Sequence, residues 1–382
     1  MKFSELKFDF EAYEESCKWA KELRQSPPHF DIKDRQRVNL SNHAQSILLN
    51  DIDAFHHRLN IAPGAWKVGP EIINYIFRAY RAEANASIFQ ACNRQSKLLR
   101  ETLTGLDSDT LSHVIATMIN RYRAELRTNI RYNLEQKGAS YSIRIDRENL
   151  CYLGSSDHIG SMEADPVYQD KIGLYLKAVI EEYCRKPHFD REAIFCKKDI
   201  DTIQEAIREQ RMIQIVTKGT NLIYIKPYAI QADSERMYHY LCGYLFNNND
   251  GSWNPGSVRL SQITESTILY HSGAITPEEA AALKTAIQKK GVQYLSNDSD
   301  SELPQKVVVR FTENGRKMYH QMLHLRPMYD GVPKGMEYTF ITTLRQAENY
   351  FFKFGHNVKI LEPAVLAEKF SRRYESAARQ YR

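Results

Sequence analysis

The sequence predicts an α+β protein in four parts: a strand–helix–helix start, a mainly helical middle, a small antiparallel β-barrel and a C-terminal α/β extension. Three observations predict it. Alternating apolar and polar residues, punctuated by turn clusters, run from Arg211 to Ile263, the period of half-buried strands. Apolar residues at helical spacing dominate from Asn42 to Lys137. After Lys306, strand-like and helix-like runs alternate. The parts are placed at 1–85, 86–205, 206–272 and 273–382, within the roughly two to four domains that such a length allows.

Composition narrows the function. Hydrophobic residues make up 42% and charged residues 26%, the balance of an ordinary soluble globular chain. No apolar run approaches the ~20 residues of a membrane span, and the first ten residues lack a signal-peptide core. The 6 cysteines are scattered with no Cys-x-x-Cys pair, which fits reduced thiols in a cytoplasm. A net charge of +5 is compatible with a nucleic-acid partner. The 23 tyrosines supply stacking faces with a hydroxyl attached, although they also fill cores. No P-loop, HExxH or GxSxG motif occurs, so no catalytic group, cofactor or metal is expected.

A helix is expected from Phe10 to Leu23, ended by Ser26-Pro27-Pro28. Next, Val38 and Leu40 alternate with Arg35, Arg37 and Asn39, giving a short strand with a polar, basic outer face. Ser41 or Asn42 caps a helix to about Leu59, with Ala44, Ile47, Leu48, Ile52 and Phe55 on one side. Gly69-Pro70 starts a second helix carrying Ile72, Ile73, Ile76, Phe77 and Tyr80. One strand and two helices cannot bury a core alone. The strand is therefore expected to pair with its twin in a homodimer.

This segment resembles the ribbon-helix-helix fold, in which two chains pair their strands and lay them in the major groove. By that resemblance Arg37, Asn39 and Ser41, with Arg35 beside them, contact bases. The start of the second helix, Val68 to Glu71, would anchor a phosphate. Arg and Asn suit bidentate contacts with guanine and adenine. A dimerisation strand with a solvated face remains the other reading.

In the middle region a helix is expected from about Ser87 to Thr104. Asp107 or Ser108 then caps a long helix from about Thr110 to Lys137, stopped at Gly138. Arg123, Arg127 and Arg131 lie four apart on it, as a basic stripe or as a solvated face making ordinary ion pairs. Tyr141 to Ile145 reads as a strand, and two helices, about Val167–Arg185 and Lys198–Gln210, lead onward.

Four strands follow: Arg211–Gly219, Leu222–Ile230, Met237–Leu245 and Ser257–Ile263. They are too few for a sandwich and point to a small curled barrel. Tyr238, Tyr240, Cys242 and Tyr244 share one face of the third strand. With Arg259 and Lys226 they offer base stacking and phosphate contact. Ordinary packing is the other reading, since Tyr is a common strand residue.

Pro227-Tyr228, His239-Tyr240-Leu241 with Gly243-Tyr244, and Val258-Arg259-Leu260 before Ile263 resemble the WYL domain. That domain is an Sm-like small barrel of bacterial transcription factors and CRISPR accessory proteins. His239 stands where the family has its Trp. The family's Tyr and later Arg line a ligand pocket, often for nucleic acid. The resemblance assigns those roles to Tyr240 and Arg259, with Lys226, Tyr238 and His239 around them. The tail has strands Lys306–Phe311 and Glu337–Thr342, a helix from about Arg345 to Lys353, and Phe354-Gly355 before Val358 to Pro363 and a last helix. It resembles the extension that follows WYL domains.

Other constellations are weak. On one helix Asp53 and His57 are two ligands at most, short of a metal site. Arg24 with His29 and Arg37 with His43 have the spacing of RNA-cutting domains. The first pair spans two prolines and the second a strand-to-helix junction, so neither makes a nuclease site.

The whole resembles the accessory WYL proteins encoded beside type VI-D CRISPR effectors. That family is linked to binding single-stranded RNA and increasing the effector's RNA cleavage. The expectation is a cytoplasmic, homodimeric, non-enzymatic protein without membrane contact. Its expected partners are single-stranded RNA, the effector and, through the N-terminal strand, duplex DNA. Two alternatives stand: a DNA-binding transcriptional repressor with a ligand-sensing WYL domain, and a nucleotide-dependent enzyme hosted in 88–200.

Overall fold

The computed structural model describes residues 33–62, 64, 67–154, 165–219, 221–233, 236–248, 250–295, 304–322 and 326–381. The expected Phe10–Leu23 helix and the Pro27-Pro28 linker lie outside them. The chain mixes helices with small antiparallel sheets and divides into two units, Met1–Lys197 and Lys198–Arg382.

In the first unit β1 (Arg35–Ser41) runs into α1 (Asn42–Leu59). Ser41 is the cap, its Oγ accepting from the Ala44 amide at 3.0 Å. α2 (Pro70–Tyr80) carries Pro in its first turn, as expected. α3 (Ile88–Thr102) and α4 (Ser108–Glu135) follow, and Asp107 caps α4 by accepting from the Asp109 and Thr110 amides. β2 (Gly138–Arg144), α5 (Arg147–Gly154), α6 (Ile172–Cys184) and α7 (His188–Phe195) come next.

β1 pairs antiparallel with β2 of the same chain, from Arg35 opposite Arg144 to Ser41 opposite Gly138. This corrects the premise that the strand has no neighbour in its own chain, on which the expected pairing with a twin rested. A lone strand does need a partner for its backbone groups, and the chain supplies one far along its own length. Gly138, expected to stop α4, instead opens β2. A Cβ there would collide with the Leu40 carbonyl, so only glycine permits the approach.

The inner side of this ribbon is buried. Val38, Leu40 and Ile143 share one core with Leu48, Ile52 and Phe55 of α1, Ile73 and Phe77 of α2, and Tyr175, Leu176 and Val179 of α6. α6 touches β1, α1, α2 and α4. The strand–helix–helix start cannot bury its own apolar side, and the helices after it complete the core.

In the second unit α8 (Lys197–Arg208) leads into β3 (Arg211–Thr217), β4 (Leu222–Ala232), β5 (His239–Phe246), β6 (Trp253–Arg259) and β7 (Ile263–Ser272). Their order in the sheet is β6-β5-β4-β3-β7. A 3₁₀ turn, Leu260–Gln262, separates β6 from β7, so the expected strand Ser257–Ile263 is broken at Leu260. Pro227 stands at a bulge in β4 and Pro255 on the outer strand β6, the places a sheet tolerates proline.

Among the described residues no pairing joins β6 to β7, so the sheet is open where a closed barrel was expected. The outer edge of β6 is occupied instead: the Ser257 amide donates to the Leu295 carbonyl at 3.0 Å. α9 (Pro277–Lys290) packs on this sheet, with Leu283 and Leu295 buried beside Tyr244.

The tail runs β8 (Gln305–Phe311), α10 (Glu313–Gln321), β9 (Glu337–Thr342), α11 (Leu344–Phe351), β10 (Val358–Glu362) and α12 (Ala364–Arg379). Its sheet, in order β10-β8-β9, closes on an aromatic core of Phe311, Tyr319, Phe340, Tyr350 and Phe351. No helix among the described residues is long and apolar enough to cross a membrane.

Candidate nucleic-acid interface

On the five-stranded sheet, β5 and β6 bring two expected site residues together. Tyr240 lies directly opposite Arg259. The Arg259 guanidinium sits 4.3 Å from the ring centre of Tyr238, a cation–π contact. Alternation places all three on one face, where each is half-buried. The turn before β5 is held by Asp233, whose carboxylate accepts from the Met237 amide at 2.7 Å.

Arg259 Nε is buried and finds no acceptor among the described residues. The same is true of Ser261 Oγ, two residues on in the 3₁₀ turn. A buried donor left unpaired costs about 1–3 kcal/mol, and more when it carries charge.

The rest of the tyrosine face departs from the expectation of an open stacking surface. Cys242 and Tyr244 are buried. The Tyr244 hydroxyl donates to the Glu279 carbonyl at 2.9 Å, beneath α9. Burial raises the Tyr244 hydroxyl and pushes the Cys242 thiol up to about 12.

Lys226 stands opposite Tyr244, four positions and roughly 13 Å along β5 from Tyr240. Its ammonium lies 3.6 Å from the Glu279 carboxylate and over the Trp253 ring, so it does not join the Tyr240–Arg259 cluster. His239 pairs with Ala232 and projects to the other face, beside Leu241 in the alternation.

In the first unit Arg35, Arg37 and Asn39 are exposed, as expected. Their partners across the ribbon, Arg144, Ser142 and Ser140, are exposed too. Arg37 Nε donates to Ser140 Oγ at 2.8 Å, and Arg144 lies 3.4 Å from the Asp34 carboxylate. Ser41 is not a base reader. It is buried, and its amide and hydroxyl both donate to the Glu181 carboxylate, at 2.6 and 2.8 Å.

At the start of α2, where a phosphate anchor is expected, the first turn carries an acid, Glu71, close to Gly69. The arginine stripe of α4 is not continuous either. Arg123 is buried, Arg127 pairs with Asp165 at 2.9 Å, and Arg131 alone is exposed. Asp51 is committed to the core, where its carboxylate accepts from the Tyr183 hydroxyl at 2.6 Å and from Arg191 at 2.9 Å.

Sequence reasoning missed Arg144, Ser142, Ser140 and Ser261. The alternation of Tyr141-Ser-Ile-Arg marks β2 as a strand, but nothing local marks β1 as its neighbour. Ser261 shares the parity of Arg259, and only its burial sets it apart.

Comparison with known proteins adds the fold. No family model matches the chain, and no curated protein matches it. A solved structure described as "Crystal structure of a CRISPR Cas-related protein" is similar over 91% of this chain and 94% of its own, with a TM-score of 0.65 and 21% identity. Proteasome accessory factor B/C of Arthrobacter aurescens aligns over 68% of this chain and 36% of its own, with 14% identity and a TM-score of 0.26, too low to carry an argument.

Proposed function

We propose that the chain is a non-enzymatic accessory protein that binds single-stranded RNA and enhances an RNA-guided, RNA-targeting CRISPR effector. In this reading the five-stranded sheet with its 3₁₀ turn is a WYL-type domain, and the β8–α12 tail is the extension that follows it. The carrying observation is Arg259, stacked on Tyr238, opposite Tyr240, with a buried Nε–H that lacks an acceptor among the described residues. A base stacked on Tyr is worth ~1–3 kcal/mol, and a guanidinium N–H suits a phosphate oxygen. The fold shared with a CRISPR Cas-related protein supports the effector half of the reading.

Anisotropy of a labelled single-stranded RNA, titrated over a salt series, tests the site. Arg259→Ala is expected to weaken binding about tenfold or more and to flatten the salt slope by about 0.7 for each phosphate released. Tyr240→Phe keeps the ring, so its affinity should stay within about twofold of wild type. A folded Arg259→Ala protein that binds like wild type would sink the assignment. The accessory role is read separately, as faster RNA cleavage when the protein is added to an effector.

A further inference from the structure

We propose that a cleft in the first unit binds a free mononucleotide, with arginines taking its phosphate and an apolar lining taking its base. The proposal concerns this unit alone and stands or falls independently of the RNA-binding reading.

The cleft has a volume of about 630 Å³ and lies where α2, the end of β2, the first turn of α5 and the end of α1 meet. Helical spacing explains the α2 wall: Glu71, Asn74, Tyr75 and Arg78 stand within reach of one another along one side of the helix. Asn74 fixes the frame. Its Nδ2 donates to the Pro70 and Arg144 carbonyls, at 2.9 Å each, and its Oδ1 accepts from the Asp146 amide at 3.0 Å. The fold itself therefore builds the cleft, and small-molecule sites are mostly pre-formed in this way.

Arg58, Arg78, Arg144 and Arg147 line the cleft, with three carboxylates among them, Asp34, Glu71 and Asp146. The acids leave the arginines available. Asp146 caps α5, its Oδ1 accepting from the Asn149 amide at 2.8 Å. Its other oxygen, at 3.3 Å, shares Arg78 with Glu148, at 3.0 Å. Asp34 approaches Arg144 at 3.4 Å, an exposed pair that is worth little and that a phosphate can displace. Arg147 is exposed and has no ion pair among the described residues.

The apolar lining comes from Leu59 and Ile145, both buried, and from Leu150. The Tyr75 ring stacks on Phe195 with centres 4.9 Å apart, and its hydroxyl donates to the Phe195 carbonyl at 2.9 Å. With its hydroxyl taken, Tyr75 offers the cleft ring surface.

These groups select the occupant. Guanidinium forks match phosphate oxygens, and the lining suits a base. The Glu71 and Asp34 carboxylates can accept from ribose hydroxyls or base amino groups. The volume falls in the range of small-molecule sites. Inorganic phosphate would leave the lining bare, and a nucleoside would leave the arginines unused.

Isothermal titration calorimetry of the full chain with AMP, GMP, CMP and UMP tests this, beside inorganic phosphate and the matching nucleosides. At least one monophosphate is expected to bind about tenfold or more tightly than either of its parts. Arg147→Ala and Arg144→Ala should each weaken that binding about tenfold or more. Single-stranded RNA affinity should stay within about twofold of wild type in both. Thermal melts matching wild type establish that the variants are folded, and where one melts early the other decides. The proposal is overturned if no monophosphate binds, or if phosphate or a nucleoside alone binds as tightly. It is also overturned if both folded variants bind the monophosphate like wild type, or if they weaken RNA as much as the monophosphate.

Discussion

Cys242 lies on the same face of β5 as Tyr240, yet burial gives it a different chemistry. Enclosure pushes its thiol up to about 12. At pH 8 its thiolate is then on the order of 10⁴-fold scarcer than the thiol. Brief alkylation of the folded protein, followed by peptide mapping, should label the exposed Cys151 and spare Cys242. Equal labelling of the two would mean that this face opens in solution. The same contrast explains what was legible at single residues. Alternation put Tyr238 with Tyr240 on one side of their strand, and Arg37 with Asn39 outward, whereas the pairing of β5 with β6 is what brings Arg259 to the same face. It could not show what covers a face. Nor could it show that Lys226 and Ser41 meet Glu279 and Glu181, which come from helices distant in sequence.

Among elements, the strands after Arg211 and in the tail were readable because each alternates between clear turn signals. β7 and the break at Leu260 were not, since a 3₁₀ turn of three residues leaves no periodicity to read. The ribbon was half legible: both strands could be seen, but their pairing could not. Gly138 tests that pairing. Gly138→Ala forces a Cβ into the Leu40 carbonyl. A clash of that kind costs about 1–3 kcal/mol. In a unit of this size it should lower the thermal midpoint by roughly 2–10 °C, read by circular dichroism. An unchanged midpoint would mean that β2 does not approach β1 so closely.

For the whole molecule, the sequence suggests four parts where the chain divides into two units, and the source of β1's partner could not be read from it. That source changes what a strand-breaking substitution should do. Val38→Pro removes an amide and a buried side chain from a strand paired within its own chain. It should lower stability while leaving the association state, read by sedimentation velocity, as it is in wild type. Loss of a wild-type dimer without loss of stability would point to pairing between chains. Synthesis imposes an order of its own. Arg37 leaves the ribosome 103 residues ahead of Ser140, so at about 5–20 residues per second β1 is out for on the order of 5–20 s before its partner exists. α6, with Lys177 and Glu181, emerges later still. Throughout that interval β1 is an open edge with Val38 and Leu40 uncovered, the kind of edge that recruits neighbouring nascent chains. Arg35 and Arg37 repel a second copy of the same strand, so the charges exposed on the finished ribbon also protect the unfinished one.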